Sequence, residues 1–505
     1  MATRKRVSHD RRLCGDRTNV NGIEGELKVL SQDEIHEIHQ CALEILDSVG
    51  VRLLETEALR VFAESGAYVD FDKKIARIPE HLINEAMKKV PRSFALYGRS
   101  HQCRLEFGDD NGRVYFSMSG ALPKLLDLEN GRCRGATLRD VDDLYRLGDA
   151  LENVDRAGTA WPTDVPSSVG HAYVMLSGFV NTTKPQPGWN EGEAQSCDSV
   201  RMASVVAGSE DLLKKEPRLL GYLQPVSPLQ YTVGSTRGAR IYAKHNQPLV
   251  VAPWPQGGAT APVTLAGALV QQTAEMLSGV VMVELFNPSA PVICGLRATI
   301  MDQRTGCLSI GGIERGLMSI ASGQLARYYG LPSVATGGSD SKIADAQASF
   351  EKATTVLMAA LSGASLVDHA IGSLESAGTH SYDQAVIDNE ICGMIRRALH
   401  GFAVDNETLA VDVIKSVGLG GSFLGQRHTL ERYEKEVYQP RIVDRRSRAA
   451  WEKAGSRDLR EVARQEAKRI LEQHHPEPLD RDIKEELEKI VKDIENRELR
   501  CAYSK

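Results

Sequence analysis

Pro248-Leu249-Val250-Val251-Ala252 and, further on, Pro291-Val292-Ile293-Cys294-Gly295 are the two stretches that decide the fold. Each is a short β-branched run of the kind that forms a strand. Between them, Val263–Leu285 is a long apolar helical pattern. Strand, helix and strand in that order make a βα unit that leads into the next strand. The same alternation spreads outward through residues 109–400. Strand runs centre on Phe116, Thr159, Pro187, Tyr222, Val250, Ile293, Ala335 and Val367, and further helical patterns cover Gly311–Tyr329, Asp345–Leu361 and Tyr382–Leu399. Each gap between strands holds a helix and two loops. The third run carries two prolines, in Lys184-Pro185-Gln186-Pro187. Eight such units predict an α/β fold, a TIM (β/α)8 barrel. The alternative is an open doubly wound sheet, whose GxGxxG turn is missing after the first strand.

The flanks differ in composition, which predicts three parts: a helix-rich extension over 1–108, the barrel over 109–400, and a helical extension over 401–505. Leu30-Ser31 opens a helix as N′ and N-cap, and Gly50 closes it. Thr56–Gly66 and Pro79–Val90 predict two more short helices. In the C-terminal part, Ser456–His474 and Leu479–Ile494 are charged amphipathic patterns. A stripe of Leu459, Val462, Ala463, Ala467, Ile470 and Leu471 suits either core packing or a contact between subunits.

The 505 residues are 42% hydrophobic and 25% charged, with a formal net charge of −6. This excludes collagen-like, mucin-like and wholly disordered chains and gives no global attraction to nucleic acid. No apolar stretch reaches membrane-helix length, so no membrane partner is expected. Arg4, Lys5, Arg6, Arg11 and Arg12 form a basic tail without an apolar region behind it, unlike a secretory signal. Nine cysteines are scattered without a CxxC pair, which points to a reducing cytoplasm.

A barrel carries its site at the C-terminal ends of its strands. That rule selects Ser119, Trp161, Trp189, Asn190, Glu191, Gln224, Trp254, Gln256, Arg297, Asp302, Arg304, the Gly337-Gly338-Ser339-Asp340 segment, Asp368 and His369. Three of the four tryptophans are in this set, and an aromatic face attracts a quaternary ammonium ion. The bland alternative is that they cap the barrel core. Gln347 and Glu351 share one helix face behind Asp340. Gly337 and Gly338 would let a second molecule approach the backbone. No HxH, GxSxG, phosphate loop or strand-end lysine is present, so no metal site is expected. His36 and His39 read as an exposed polar helix face.

Several segments carry a family resemblance. They include Leu30-Ser31-Gln32-Asp33-Glu34-Ile35-His36, Leu96-Tyr97-Gly98-Arg99, Gln324-Leu325-Ala326-Arg327-Tyr328-Tyr329-Gly330 and Ser339-Asp340-Ser341-Lys342. Through them the chain resembles the trimethylamine methyltransferase family over nearly its whole length. The resemblance implies a TIM barrel whose mouth receives a methylamine. The methyl group then passes to cobalamin, which this chain does not bind itself and which a separate corrinoid protein supplies. It also implies a homo-oligomer. The family's trimethylamine enzymes carry pyrrolysine in the region where this chain has Gly337 and Gly338, so the chain is similar to the non-pyrrolysine branch. That branch implies a quaternary amine, with glycine betaine foremost and proline betaine, carnitine and γ-butyrobetaine as alternatives. A quaternary ammonium leaves as a neutral amine and needs no proton, so positioning and desolvation suffice. On this reading Trp161, Trp189 and Trp254 take the cation. Arg297 and His369 take a carboxylate, with Arg304 in reserve. Asp340 and Glu351, with Gln347, face the ammonium or the corrinoid. A barrel enzyme with another acceptor, or a methylamine-binding protein without catalysis, remains an alternative.

Overall fold

Eight parallel strands close a barrel between Tyr115 and Ile371, in a computed structural model that describes residues 27–108 and 112–503. The basic tail at Arg4–Arg12 lies outside the described residues. Strands three (Gln186–Pro187), four (Leu219–Leu223), five (Leu249–Val251) and six (Val292–Cys294) form one parallel run. Strands seven (Val334–Thr336), eight (Leu366–Ile371) and one (Tyr115–Met118) form another. A parallel bridge from Cys294 to Ser333 joins six to seven. Strand two (residues 155–160) joins one through a Ser117–Arg156 bridge, and Ala157 N–H donates to the Pro185 carbonyl of strand three.

Two strands are weaker than their neighbours. Strand two makes bridges at Arg156 and Ala160 and no continuous ladder. At Gly158 a Cβ would lie 2.0 Å from the Ser119 carbonyl oxygen, so only glycine lets the two backbones come this close. Strand three is two residues long because Pro185 and Pro187 have no N–H to give.

The helices between strands form where the apolar periodicity puts them, including Leu265–Phe286, Ile313–Tyr329, Ala346–Leu361 and Tyr382–His400. Ser31 caps the first helix (Gln32–Ser48) in a full capping box with Glu34. Gly50 ends it at φ +74°, where a side chain would also strike the Ala76 carbonyl. His39 departs from the expected exposed face: it is buried, with Nδ1 3.0 Å from Tyr329 Oη, because this helix lies against the barrel.

The helix-rich first 108 residues also hold short strands that the sequence reading did not name. Val51–Leu53, Tyr68–Asp70 and Ile75–Arg77 make a small sheet, and Phe94–Tyr97 pairs with Arg104–Phe107 as a hairpin. These strands are three or four residues long, too short for alternation to stand out in sequence. The hairpin plugs the base of the barrel. Its Leu96, Leu105 and Phe107 share one buried cluster with Leu220, Val250, Ile293, Val334 and Leu366. At the C-terminal end, helix Leu459–Gln473 buries Ala463, Ala467 and Ile470 in the cluster that also holds residues of helix Tyr382–His400. Ala463, Ala467 and Ile470 of the stripe are therefore core, while Leu459 stays exposed. Helix Arg481–Tyr503 buries Leu487, Ile490, Val491 and Ile494 in the same core as Ile35 and Leu46 of the first helix. Among the described residues no helix is long and apolar enough to cross a membrane.

Removing the plug's largest side chain tests this packing. Phe107→Ala is expected to cost about 3–5 kcal/mol. The readout is a lowered midpoint of denaturant unfolding with an unchanged far-ultraviolet spectrum of the native state.

Candidate active site

Alternation along a strand points every second side chain inward. Leu366 and Leu220 face the plug, so Asp368 and Tyr222, two residues on, face the upper interior. There they meet Arg156 of strand two and Arg297 from the end of strand six. Arg156 Nη2 lies 2.6 Å from Asp368 Oδ1. Arg297 Nη2 donates to Asp368 Oδ2, and Tyr222 Oη donates to the same oxygen at 2.8 Å. All four even-numbered strands thus contribute to one layer, as in the interior layers of (β/α)8 barrels. The layer is polar where the one beneath it is apolar. Burial opposes ionisation of Asp368, but the guanidinium groups of Arg156 and Arg297 outweigh it and hold the carboxyl well below its ordinary range. Burial pushes the Tyr222 phenol up to about 12. The Arg297 guanidinium also stacks 4.9 Å from the Tyr222 ring centre and 5.7 Å from that of Trp254.

A third arginine adds charge that Asp368 does not balance. Arg315 is buried, with Nη1 donating to the Ala298 carbonyl and Nε to that of Thr336, at the ends of strands six and seven. Burial, reinforced by the charge of Arg297, lowers it to about 9. Arg156 Nε and Nη1, Arg297 Nε, Arg315 Nη2 and Trp254 Nε1 are buried with no hydrogen-bond partner among the described residues. Such donors are costly to leave unmade.

His369 follows Asp368 with φ +55°, a left-handed backbone that is uncommon outside glycine. Its Nδ1 lies 2.8 Å from Ser119 Oγ, and its ring centre is 6.0 Å from that of Trp254. Its main chain is held by Lys352, whose Nζ donates to the His369 carbonyl at 2.5 Å and to Ser373 Oγ at 3.1 Å. Lys352 is buried 3.6 Å from Asp388; burial lowers the lysine and raises the aspartate. Burial, opposed by Asp368 and aided by Arg297, pushes the His369 imidazole down to about 3. The neutral ring can offer a carboxylate a hydrogen bond but no charge. His380, pushed down to about 4 by burial, points Nε2 at the Thr159 carbonyl, 2.7 Å away.

The residues chosen from sequence fall into separate groups. Arg297, His369 and Trp254 come together around Asp368. Trp161 and Trp189 form their own edge-to-face pair, with ring centres 4.9 Å apart. Trp189 packs on the core beside Val141 and Tyr145, and Trp161 lies over Gly170. Asp340, Glu351 and Gln347 build the loop after strand seven. Asp340 accepts from Ser309 Oγ, Ile310 N and Ser376 Oγ. Glu351 accepts from Ser339 Oγ, the Asp340 amide and Gln347 Nε2. A Cβ on Gly337 or Gly338 would lie 2.4 Å from Val356 Cγ2 or Ile310 Cδ1 respectively, so the missing side chains make room for neighbours within the fold. Arg304 is exposed and paired with Asp302. Arg156, Tyr222, Arg315 and Lys352 were not legible as site residues. Alternation back from the strand ends finds Tyr222; the other three are marked only by burial. No group of three or more His, Cys, Asp or Glu among the described residues could hold a metal ion.

A closed barrel with its buried charges gathered at the strands' C-terminal ends is the architecture of a barrel enzyme. The family model described as trimethylamine methyltransferase (MTTB) matches residues 2–498, and the chain belongs to that family. It is similar to the glycine betaine methyltransferase of Desulfitobacterium hafniense (strain Y51), 33% identical over 92% of this chain and 96% of that protein. It is also similar to the trimethylamine methyltransferase MttB of Desulfitobacterium hafniense (strain DSM 10664 / DCB-2), 37% identical over 92% of this chain and 94% of that one. The MttB of Methanosarcina barkeri (strain Fusaro / DSM 804) is 33% identical over 94% of this chain and 96% of its own length. The chain is therefore a methyltransferase.

Two outcomes test the geometry of the charged layer. Asp368→Asn leaves Arg156 and Arg297 without a counter-charge and is expected to cost about 3–5 kcal/mol of stability. The depressed carboxyl stabilises the fold above the ordinary carboxylate pKa of about 4, and loses that contribution only as pH falls through its own lower value. His369 is expected to show no titration between pH 5 and 8 by NMR of the ring nitrogens, with His369→Gln assigning the signal. Its lowered pKa makes stability fall as pH drops below about 6.5, where the unfolded chain takes up the proton.

Proposed function

We propose that this chain moves a methyl group from a quaternary amine bearing a carboxylate, glycine betaine foremost, to the cobalt of a corrinoid carried by a separate protein. One observation carries the substrate class: two buried guanidinium groups flank a single buried carboxylate, a third, that of Arg315, feels the charge of Arg297 and is bound only to main-chain carbonyls, and several of their N–H donors are without partners. A substrate carboxylate supplies the missing anion. In this reading Arg297 and Arg315 take the carboxylate, and the trimethylammonium lies towards Trp254 and the neutral His369, which does not repel it. Trp161 and Trp189, paired with each other away from the charged layer, take no part in holding the cation.

The reduced cobalt of the partner supplies the nucleophile. The chain's own work is to bind, orient and exclude water. As the methyl group leaves, the amine nitrogen keeps the bonding pair and departs neutral, so no side chain has to give or take a proton. That agrees with Asp368 held ionised, and with Asp340 and Glu351 spending their oxygens on the loop. Asp340, Glu351 and Gln347 then act by shaping the rim next to Gly337 and Gly338. Trimethylamine, the compound in the name of two relatives, has no carboxylate and would leave the guanidinium groups unbalanced. A long side chain at either glycine would have to displace Val356 or Ile310, which supports a reaction without pyrrolysine. The chain works in the cytoplasm in this reading; its seven described cysteines form no disulfide.

The test is an anaerobic assay with the chain and a reduced corrinoid protein, following corrinoid methylation in the visible spectrum. The panel is glycine betaine, proline betaine, carnitine, γ-butyrobetaine, choline and trimethylamine. Methylation is expected with a carboxylate-bearing compound and not with choline or trimethylamine; equal rates with choline overturn the carboxylate reading. Arg297→Ala and Arg315→Met are each expected to raise KM for the best substrate by about tenfold or more, the loss of a charge-assisted hydrogen bond.

A further inference from the structure

Strand eight does not run straight into the site. Its register against strand one shifts between Val367 and Ile371, and within that bulge His369 sits at φ +55°. A bulge beside a site re-aims a side chain. A left-handed residue other than glycine costs free energy and persists only where its surroundings hold it there. Among the described residues the His369 imidazole has one hydrogen bond, Nδ1 to Ser119 Oγ, so the direction of the ring depends on the backbone beneath it.

That backbone is gripped by a buried lysine. Lys352, on helix Ala346–Leu361, brings Nζ to the carbonyls of His369 and Ala370, at 2.5 and 3.4 Å, and to Ser373 Oγ at 3.1 Å. Ser373 Oγ also donates to the His369 carbonyl at 3.1 Å. Asp388, on helix Tyr382–His400, lies 3.6 Å from the ammonium, and neither side chain has appreciable surface in water. Its Oδ2 accepts from the Gly372 amide and its Oδ1 from Gln384 Nε2, both at 2.8 Å. Two helices thus clamp residues 369–373 from behind.

We infer that Lys352 is a positioning residue: it holds the bulge of strand eight and so keeps the His369 imidazole on Ser119 and beside Trp254. That this ring then lies next to a substrate rests on the function proposed above; the clamp itself does not. A buried ion pair gives little stability for its desolvation, and an apolar side chain of equal length would fill the space as well. Such a side chain could not donate. The ammonium has three N–H groups, and the oxygens of the bulge and of Asp388 surround them. Without it two carbonyls and a carboxylate lose their donor inside the protein. Turning the His369–Ala370 peptide relieves both that loss and the left-handed backbone, and it swings the ring away. The neighbouring residues on the helix do the same for strand seven: Glu351 accepts from the Asp340 amide, and Thr355 Oγ1 from the Gly338 amide.

The test reads the ring and the kinetics separately. Lys352→Met keeps the length and removes the donors; Ser373→Ala is milder and removes only the hydroxyl of the clamp. NMR of the ring nitrogens in the wild type is expected to show His369 fixed in one tautomer by Ser119, with Ser119→Ala showing the loss of that pattern. Lys352→Met is expected to lose it too, and Ser373→Ala to shift it in the same direction. With the best substrate, Lys352→Met is expected to lower kcat/KM by about tenfold or more, mainly through KM, as for a lost binding contact. Phe107→Ala is the reference for lost stability alone: it weakens the base and leaves the His369 signals and KM unchanged. Wild-type His369 signals in both clamp variants overturn the inference, and if Lys352→Met does not fold, wild-type signals in Ser373→Ala do so. Shifted signals with an unchanged KM overturn it as well. Shifted signals in a protein whose wild type methylates a corrinoid from none of the compounds in the panel support the clamp and overturn only the proposed function.

Discussion

One buried carboxylate ties the top of this barrel together. Asp368 on strand eight receives Arg156 from strand two, Tyr222 from strand four and Arg297 from the end of strand six. Strand two has no continuous ladder of its own. Its position is set by Gly158 pressed against strand one and by Arg156 reaching across the interior to Asp368. The ion pairs do not make the barrel stable by themselves, since desolvating the charges offsets most of their attraction. What they give is specificity. Any register shift in an even-numbered strand would leave a charge unpaired in the interior. The same carboxylate fixes where Arg297 lies over Tyr222 and Trp254, and so where the mouth can accept an anion.

That layer breaks the rule that buried polar groups find partners, and it breaks it at the strand ends. Lower down, the barrel interior is apolar: leucine, valine and isoleucine fill the space to the hairpin plug. Higher up, two guanidinium groups share one carboxylate and a third, that of Arg315, has none. Each unpaired N–H costs folding free energy, and natural folds accept such costs mainly where function needs them. The neutral state of His369 belongs to the same electrostatics. Burial first, helped by Arg297, Lys352 and Arg156, outweighs the pull of Asp368 and keeps the ring uncharged, and the neutral ring is compatible with a quaternary ammonium as its neighbour.

The strands and helices were legible because their signals are repeated: eight strand runs recur along 109–400, with four long apolar helical patterns among them. The candidate site was legible only where position did the selecting. Trp254, Arg297, Asp368 and His369 stand at strand ends, and the structure gathers them. Asp340, Glu351 and Gln347 looked like chemistry because carboxylates after a glycine pair look exposed in a sequence. In the fold their oxygens accept from the Ser309, Ser339 and Ser376 hydroxyls and from the Ile310 and Asp340 amides. Arg156, Arg315 and Lys352 were hidden for the opposite reason. A basic residue in a polar or alanine-rich stretch reads as solvated, and nothing local says that the strand or helix turns it inward. The hairpin plug escaped notice because its strands are four residues long and pair only with each other.

The two ends of the barrel divide the work. On the function proposed above, the mouth has to stay open to a small amine on one side and to a corrinoid held by another protein on the other, so nothing bulky can be seated there for long. The base has no such constraint. The hairpin fills its centre and the first helix packs on the core beside it. A contact made at the strand ends would compete with the acceptor in every turnover.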